Sequence, residues 1–409
     1  MKQLLFLLFS ALILPYAKGN AYSECRHLYT LPKRMDLQAL NNAAHEKQCE
    51  PLIQAVQATK ALYAAYKHPG IKQRRFLQTA LYLEMHLPKI KSMDKPFLTK
   101  KHTHLKHTLE HDPVTGHTFI VLDSKKAYIG KGKKKTVYKS ILYQPQPKVV
   151  ARGEQYVSMD HELAAHKALQ GHVGLMKTYA FTTHMDKNKK YTTIYSDLYQ
   201  GTIKELLEKN NLSFRNKLII MHDVLKGVES IHANNFVHRD LHSHNYLLSV
   251  HRDPNGKKVI HAVVADLGRT IDVNKAKKVP AQGARFLCPP EGFHPKKLKG
   301  EAYFATDIYA LGSIFYRIYH NELPRWQSEY LKDDDLSTNK KQKMLLTKLK
   351  KHTSKRRRFL SRQLKKGTLT VQEDLELMIL KMVRKDPAKR GTVSQWRHEL
   401  ERIMHRVHK

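Results

Sequence analysis

The sequence predicts an α+β protein with two lobes, a small strand-rich one and a larger helical one, preceded by a helical segment. Three observations carry this. Strand-like runs concentrate in the stretch from about residue 113 to residue 197. After Gly201 the pattern is mostly helical to the end. Strands first and helices later is the order of a small sheet followed by a helical body. With 409 residues, the chain can hold more than one domain and a real apolar core.

The N-terminus reads as a leader. Lys2 precedes an almost wholly apolar run, Leu4 to Leu14, which Pro15 ends. Gly19-Asn20-Ala21 then supplies small residues for cleavage, the layout of a secretory signal peptide over residues 1–21. The run is shorter than the roughly 20 residues of a membrane span.

Residues 22–112 read as helical. Leu52, Ile53, Val56, Leu62, Tyr63 and Tyr66 fall on one helical face. Phe76, Leu77, Leu81 and Tyr82 form a second stripe after the break at Pro69-Gly70. His104, His107 and His111 share a helical face, which suits either a metal ion or a solvated basic helix. Cys25 and Cys49 would pair in an exported chain and leave Cys288 over; three free thiols is the alternative.

The strand-rich lobe spans 113–197. Thr118 to Leu122 and Thr136-Val137-Tyr138 read as strands around a Gly/Lys segment. Val149-Val150-Ala151 follows Pro147, a helix covers Asp160 to Leu169, and Tyr191 to Tyr195 is a further strand. The helical lobe, 198–409, carries a basic insertion at 327–370. Within it, residues 340–366 hold 13 Lys/Arg and no Asp or Glu. The whole chain sets 73 Lys+Arg against 36 Asp+Glu, a net +37. This excludes an acidic solvating protein and favours anionic partners such as nucleic acid, an anionic membrane or acidic proteins. The basic segment is either a phosphate-binding or nuclear-import-like patch or a solvated helix face.

The chemistry concentrates in His238-Arg239-Asp240-Leu241-His242-Ser243-His244-Asn245. Asp240 can accept the proton of an incoming hydroxyl, and the Asn245 oxygen suits a hard cation such as Mg²⁺. Asp266-Leu267-Gly268 follows a strand-like run; a carboxylate there can hold Mg²⁺ against phosphate oxygens. In order and spacing, these motifs resemble those of the eukaryotic-type protein kinase family. Upstream, Gly130-Lys131-Gly132-Lys133-Lys134-Lys135-Thr136-Val137 is similar to the family's glycine-rich loop, with Lys135 at the third glycine. Downstream, Pro289-Pro290-Glu291, Asp307 to Gly312 and Asp386 to Arg390 resemble three further family motifs, and the last implies a Glu291–Arg390 ion pair. The resemblance covers about residues 113–409.

The resemblance implies a bilobal kinase-like fold, ATP and Mg²⁺ as cofactors, and protein substrates. It implies Asp240, Asn245 and Asp266 as the catalytic set, with Asn245 and Asp266 as metal ligands. It implies Gly130, Gly132 and Val137 around the nucleotide, and Asp197 and Tyr199 at the adenine-facing hinge after Ser196. The phosphate-gripping strand lysine is missing from its usual frame. Arg152 takes its slot, with Lys148 as the alternative, and Glu162 is the helix partner. Arg is not equivalent to Lys in such a role.

His242 replaces the lysine that marks Ser/Thr kinases, and Ala284 stands where those enzymes place a threonine. Ser/Thr transfer is still preferred over Tyr. Between Gly268 and Pro289 the only hydroxyl is Thr270, so a mid-segment phosphosite is missing. The alternatives are a pseudokinase scaffold for nucleotide or anionic partners, and a small-molecule phosphotransferase of the aminoglycoside or lipid kinase type. A kinase with an export leader fits a secreted effector that acts inside a host cell.

Overall fold

The computed structural model describes residues 25, 28, 36–65, 73–91, 97–98, 107–122, 127–132, 135–143, 147–155, 160–186, 189–209, 212–274, 287–293, 302–327 and 337–407. The leader at 1–21, Tyr66, Pro69-Gly70, His104, Lys133, Lys134, Ala284 and residues 328–336 of the basic insertion lie outside them. The chain divides into two compact units. One holds residues 1–158 and 179–198, the other 159–178 and 199–409.

The first unit begins with three helices, α1 (Leu37–Glu46), α2 (Glu50–Ala65) and α3 (Gln73–Lys91). Asp36 caps α1 by accepting from the Gln38 and Ala39 amides. Cys25 and Cys49 form a disulfide, with Cα atoms 6.1 Å apart, and both are buried. The strands follow: β1 (Phe97–Leu98), β2 (Thr108–His111), β3 (Thr118–Val121), β4 (Tyr128–Lys131), β5 (Lys135–Leu142) and β6 (Lys148–Gln155). β7 (Thr178–Asp186) and β8 (Lys189–Asp197) complete an antiparallel sheet of order β1-β2-β3-β5-β6-β8-β7, with β4 on the free part of β5.

The boundary read at 112/113 falls inside a hairpin turn. Asp112 accepts from the Val114 amide and the Thr115 hydroxyl, and Gly116 takes φ +68°. The turn pairs β2 with β3, so residues 108–111 are strand rather than helix. This corrects the shared helical face drawn for His104, His107 and His111. His111 is buried with its Nδ1 2.9 Å from the Thr118 hydroxyl. No cluster of metal-ligating side chains occurs among the described residues.

The helices share one core with the sheet. Leu52, Ile53, Leu62, Phe76 and Leu77 join Leu109, Ile120 and Ile141 in a single buried cluster. The opposite sheet face closes over Phe119, Leu142, Val150, Tyr179 and Tyr195, with the Phe119 and Tyr195 rings stacked 3.6 Å apart.

The second unit starts with α4 (Asp160–Leu169) and continues with β9 (Gly201–Thr202), α5 (Ile203–Glu208) and α6 (Phe214–Ala233). Then come β10 (Phe236–Val237), β11 (Tyr246–Arg252), β12 (Lys258–Val264), a 3₁₀ turn at Leu267–Arg269 and β13 (Ile271–Asp272). The helices α7 (Ala302–His320), α8 (Thr338–Lys366), α9 (Val371–Met382) and α10 (Val393–Val407) end the chain. α6 and α7 pack on α9 and α10 through Val224, Leu225, Leu311, Phe315, Leu375 and Leu400. Gly174, at φ +78°, lies so close to Gly227 of α6 that a Cβ there would stand 2.6 Å from the Gly227 Cα. That approach ties the loop after α4 to the helical body, as do the Met176 N–H to Val264 carbonyl and Val264 N–H to Gly174 carbonyl bonds, both 2.8 Å. No helix among the described residues is long and apolar enough to cross a membrane.

Candidate active site

The second unit brings together the residues at 238–245 and 266–268. Asp307 organises the first group from within α7, where it is buried. Its carboxylate accepts the His238 amide at 2.8 Å, the Arg239 amide at 2.9 Å and the His232 ring at 2.9 Å. Burial alone would raise its pKa. The His232 hydrogen bond, reinforced by the Arg239 amide, outweighs burial and holds it below the usual carboxylate range. With its amide held there, Arg239 sits at φ +64°, and its Nε donates to the Arg269 carbonyl at 2.8 Å.

The His238 ring sets the next residue. The Asp240 amide donates to its Nδ1 at 3.2 Å, so its Nε2 donates to the Ala265 carbonyl at 3.1 Å. Asp240 is thereby presented with its carboxylate near two basic groups, Arg269 Nε at 3.4 Å and His242 Nε2 at 3.7 Å. Burial pushes the His242 pKa down, and Asp240 only partly restores it, so the ring is neutral at pH 7.

Asn245 is buried and donates its amide to the Asp240 carbonyl at 2.9 Å. That bond fixes its side chain and leaves Oδ1 as an acceptor. The β11–β12 ladder ends in Tyr246↔Val264, and the Ala265 amide donates to the Asn245 carbonyl at 2.8 Å. Asp266 is therefore one step past the residue opposite Asn245. It is exposed, in the left-handed conformation at φ +63°, and caps the 3₁₀ turn through the Gly268 amide at 3.3 Å. Glu162 of α4 is buried beside this turn: a Cβ on Gly268 would stand 3.1 Å from its Oε2.

Two hard oxygen donors, one neutral and one anionic, fit Mg²⁺, which takes one or two carboxylates and completes its shell with phosphates and water. Asn245 Oδ1 and Asp266 would hold the ion. When bound, it supplies a positive charge against phosphoryl oxygens.

The expected ion pair is present. Arg390, wholly buried, makes a two-pronged contact with Glu291, its second nitrogen at 2.8 Å, and also donates to the Ala305 and Arg384 carbonyls. Thr270 is buried, and among the described residues its hydroxyl has no hydrogen-bond partner.

In the first unit, Gly130 and Val137 face one another across the β4–β5 pair. The Gly132 amide closes the tip by donating to the Lys135 carbonyl at 2.8 Å. Arg152 is not in the expected slot. It shares a strand face with Val150, which is sealed in the Phe119–Tyr195 core, and its guanidinium lies 3.9 Å from Glu110 and 2.5 Å from Glu154. Glu110 is fully buried and also accepts the Thr182 and Tyr195 hydroxyls. An unpaired carboxylate there would be costly, so Arg152 is its counter-charge.

Lys148 fails for the same reason of register. It lies on the same face, bound to Asp197 at 2.6 Å and 4.6 Å above the Tyr179 ring. The Asp197 carboxylate is thus occupied by Lys148 and by the Tyr179 hydroxyl, also 2.6 Å away. Tyr199, in the other unit, accepts the Lys177 amide through its hydroxyl at 3.2 Å. Glu110 escaped the sequence reading because its partners are 42 and more residues away and no local pattern marks it.

The family model described as "Protein kinase domain" matches residues 124–400. The chain is 27 % identical over 176 residues to "Probable serine/threonine-protein kinase mkcB" of Dictyostelium discoideum, covering 41 % of this chain and 23 % of that protein. It is 26 % identical over 211 residues to "Calcium-dependent protein kinase 4" of Plasmodium berghei, covering 51 % and 33 %. A third relative, "Probable serine/threonine-protein kinase roco8" of Dictyostelium discoideum, is 32 % identical over 160 residues, covering 37 % and 8 %. The chain thus spans a third or less of each of these relatives.

Proposed function

The chain belongs to the protein kinase family, and from that membership we propose that it transfers the γ-phosphoryl group of ATP, with Mg²⁺, to hydroxyl groups of proteins. The observation that carries the proposal is the disposition of Asp240, Asn245 and Asp266 around the end of the β11–β12 ladder. Asp240 orients the acceptor hydroxyl and takes its proton as the oxygen attacks. His242, whose pKa burial lowers, stands 3.7 Å from the Asp240 carboxylate. Asn245 and Asp266 bind the metal, and Gly130 and Gly132 let backbone amides approach phosphate. Catalysis of this kind is positioning and electrostatics. Ser and Thr are the acceptors we favour, as the names of two relatives suggest.

We further propose that the protein is exported and acts on proteins of another cell. The apolar leader supports this reading, as does the Cys25–Cys49 disulfide, since disulfides persist in oxidising compartments. The exposed lysines and arginines of α8 support contact with an anionic partner, a membrane or a nucleic acid.

The test is incubation of the full chain with γ-labelled ATP, Mg²⁺ and a mixture of proteins, followed by phosphoamino-acid analysis. Label on serine or threonine supports the proposal. Label only on small molecules, with none on protein, overturns it.

A further inference from the structure

Resting on the reading of the chain as a phosphotransferase, we infer that Lys135 of β5 supplies the phosphate-binding ammonium that neither Arg152 nor Lys148 can provide. Directly paired residues on antiparallel strands share a face. Val137 pairs with Gly153, Lys139 with Ala151, and Ala151 in turn with Ser196. Val137, Ala151, Gly153 and Ser196 therefore form one face, on which Val137 and Ala151 remain partly exposed. Val150, Arg152 and Lys148 form the other, where Val150 and Arg152 are sealed. A cation meant for a ligand beneath the Gly130–Gly132 hairpin must come from the first face. On β6 that face offers Gly153 at the place where a lysine two residues after Ala151 would stand.

Lys135 fills the space this glycine leaves. Its own partner on β6 is Gln155, which makes Gly153 the diagonal neighbour, within reach of a long side chain. The Lys135 Cε lies inside the volume a Cβ on Gly153 would need, and its Nζ is 3.3 Å from that point. Among the described residues, no carboxylate or other acceptor engages the ammonium. The two cations the sequence offered for this role are committed elsewhere, Arg152 to Glu110 and Glu154 and Lys148 to Asp197. The main-chain carbonyl of the same residue closes the hairpin tip onto Gly132, so the charge is tethered to the glycine turn itself. Two departures from the family pattern, lysine at the third glycine and glycine in place of a lysine two residues after Ala151, are thus one exchange. Lysine has moved to β5, and glycine makes room for it.

The experiment compares ATP turnover and ATP affinity, by calorimetry, in the full-length wild type, Lys135→Met, Lys148→Met, Arg152→Lys and the double exchange Lys135→Gly/Gly153→Lys. We expect Lys135→Met to lose turnover by roughly 100-fold or more and to bind ATP more weakly, while its melting temperature holds. Lys148→Met and Arg152→Lys should keep turnover within a few-fold, and the double exchange should recover most of what Lys135→Met loses. Full turnover in Lys135→Met, or its loss in Lys148→Met with the fold intact, overturns the inference. A wild type that transfers no phosphate would contradict the phosphotransfer reading instead. ATP affinity would then decide the role of Lys135: weakened binding in Lys135→Met sustains it, and unchanged binding overturns it.

Discussion

At the scale of single residues, the site is a set of side chains whose freedom has been removed by their neighbours. Asp240 is aimed by the His238 ring and Asn245 is pinned by its bond to the Asp240 carbonyl. Thr270 is the exception, a buried hydroxyl with no hydrogen-bond partner among the described residues. Replacing a hydroxyl that makes no hydrogen bond removes no interaction. Thr270→Val should therefore fold and turn over like the wild type, and mass spectrometry of active enzyme should find Thr270 unmodified. Activity that requires phosphate on Thr270 would contradict this. That Asp240, Asn245 and Asp266 would come together was legible in the sequence, because Asp, Asn and Asp at those intervals suit one chemistry. The phosphate-binding cation was not. A strand's faces alternate, so a frame error of one residue exchanges a ligand-facing side chain for a core one. Val149-Val150-Ala151-Arg152-Gly153 contains nothing that fixes the frame. Only Glu110, distant in sequence and fully buried, shows which face Arg152 must take.

At the scale of elements, the pairings that hold the second unit are buried and ionic. Arg390 ties the 3₁₀ turn containing Glu291 to α7 and to the loop before α10. Removing one partner of such a pair leaves an uncompensated charge, a loss of about 3–5 kcal/mol. Arg390→Leu should lower the urea midpoint accordingly without changing the unfolding slope. An unchanged midpoint would mean that the pair is dispensable. This contact was foreseen, because both motifs are short and contiguous. The β2–β3 hairpin was not. Its strand is four residues long, buried on both faces, and so lacks the alternation that marks a strand. The Asp112 to Gly116 turn was its one local signal.

At the scale of the whole molecule, charge and titration set the working range. The net charge is +37 with histidines neutral, and the chain has 26 histidines. His117, His242, His244, His320 and His352 all have pKa values lowered by burial. A histidine whose folded pKa is below its unfolded value binds fewer protons folded than unfolded. Stability then falls as pH drops below the ordinary histidine pKa and is retained above it. Added positive charge works in the same direction. The melting temperature should decline from pH 7.5 to pH 5.5, and His242→Gln should reduce the slope. A melting temperature that rises on acidification would contradict the assignment. Two lobes were legible from the order of strands and helices, drawn at 113–197 and 198–409; that α4 groups with the second unit was not. The merging of the N-terminal helices with the sheet was not, because it depends on a core shared between residues far apart in sequence.

The most direct test of the account is the initial rate of phosphoryl transfer from ATP·Mg²⁺ to protein, measured for the full chain and for Asp266→Ala. The account predicts measurable transfer by the wild type and a loss of at least roughly 100-fold in the variant, with a circular dichroism spectrum like that of the wild type. Equal rates in the two, or no transfer by either, would contradict it.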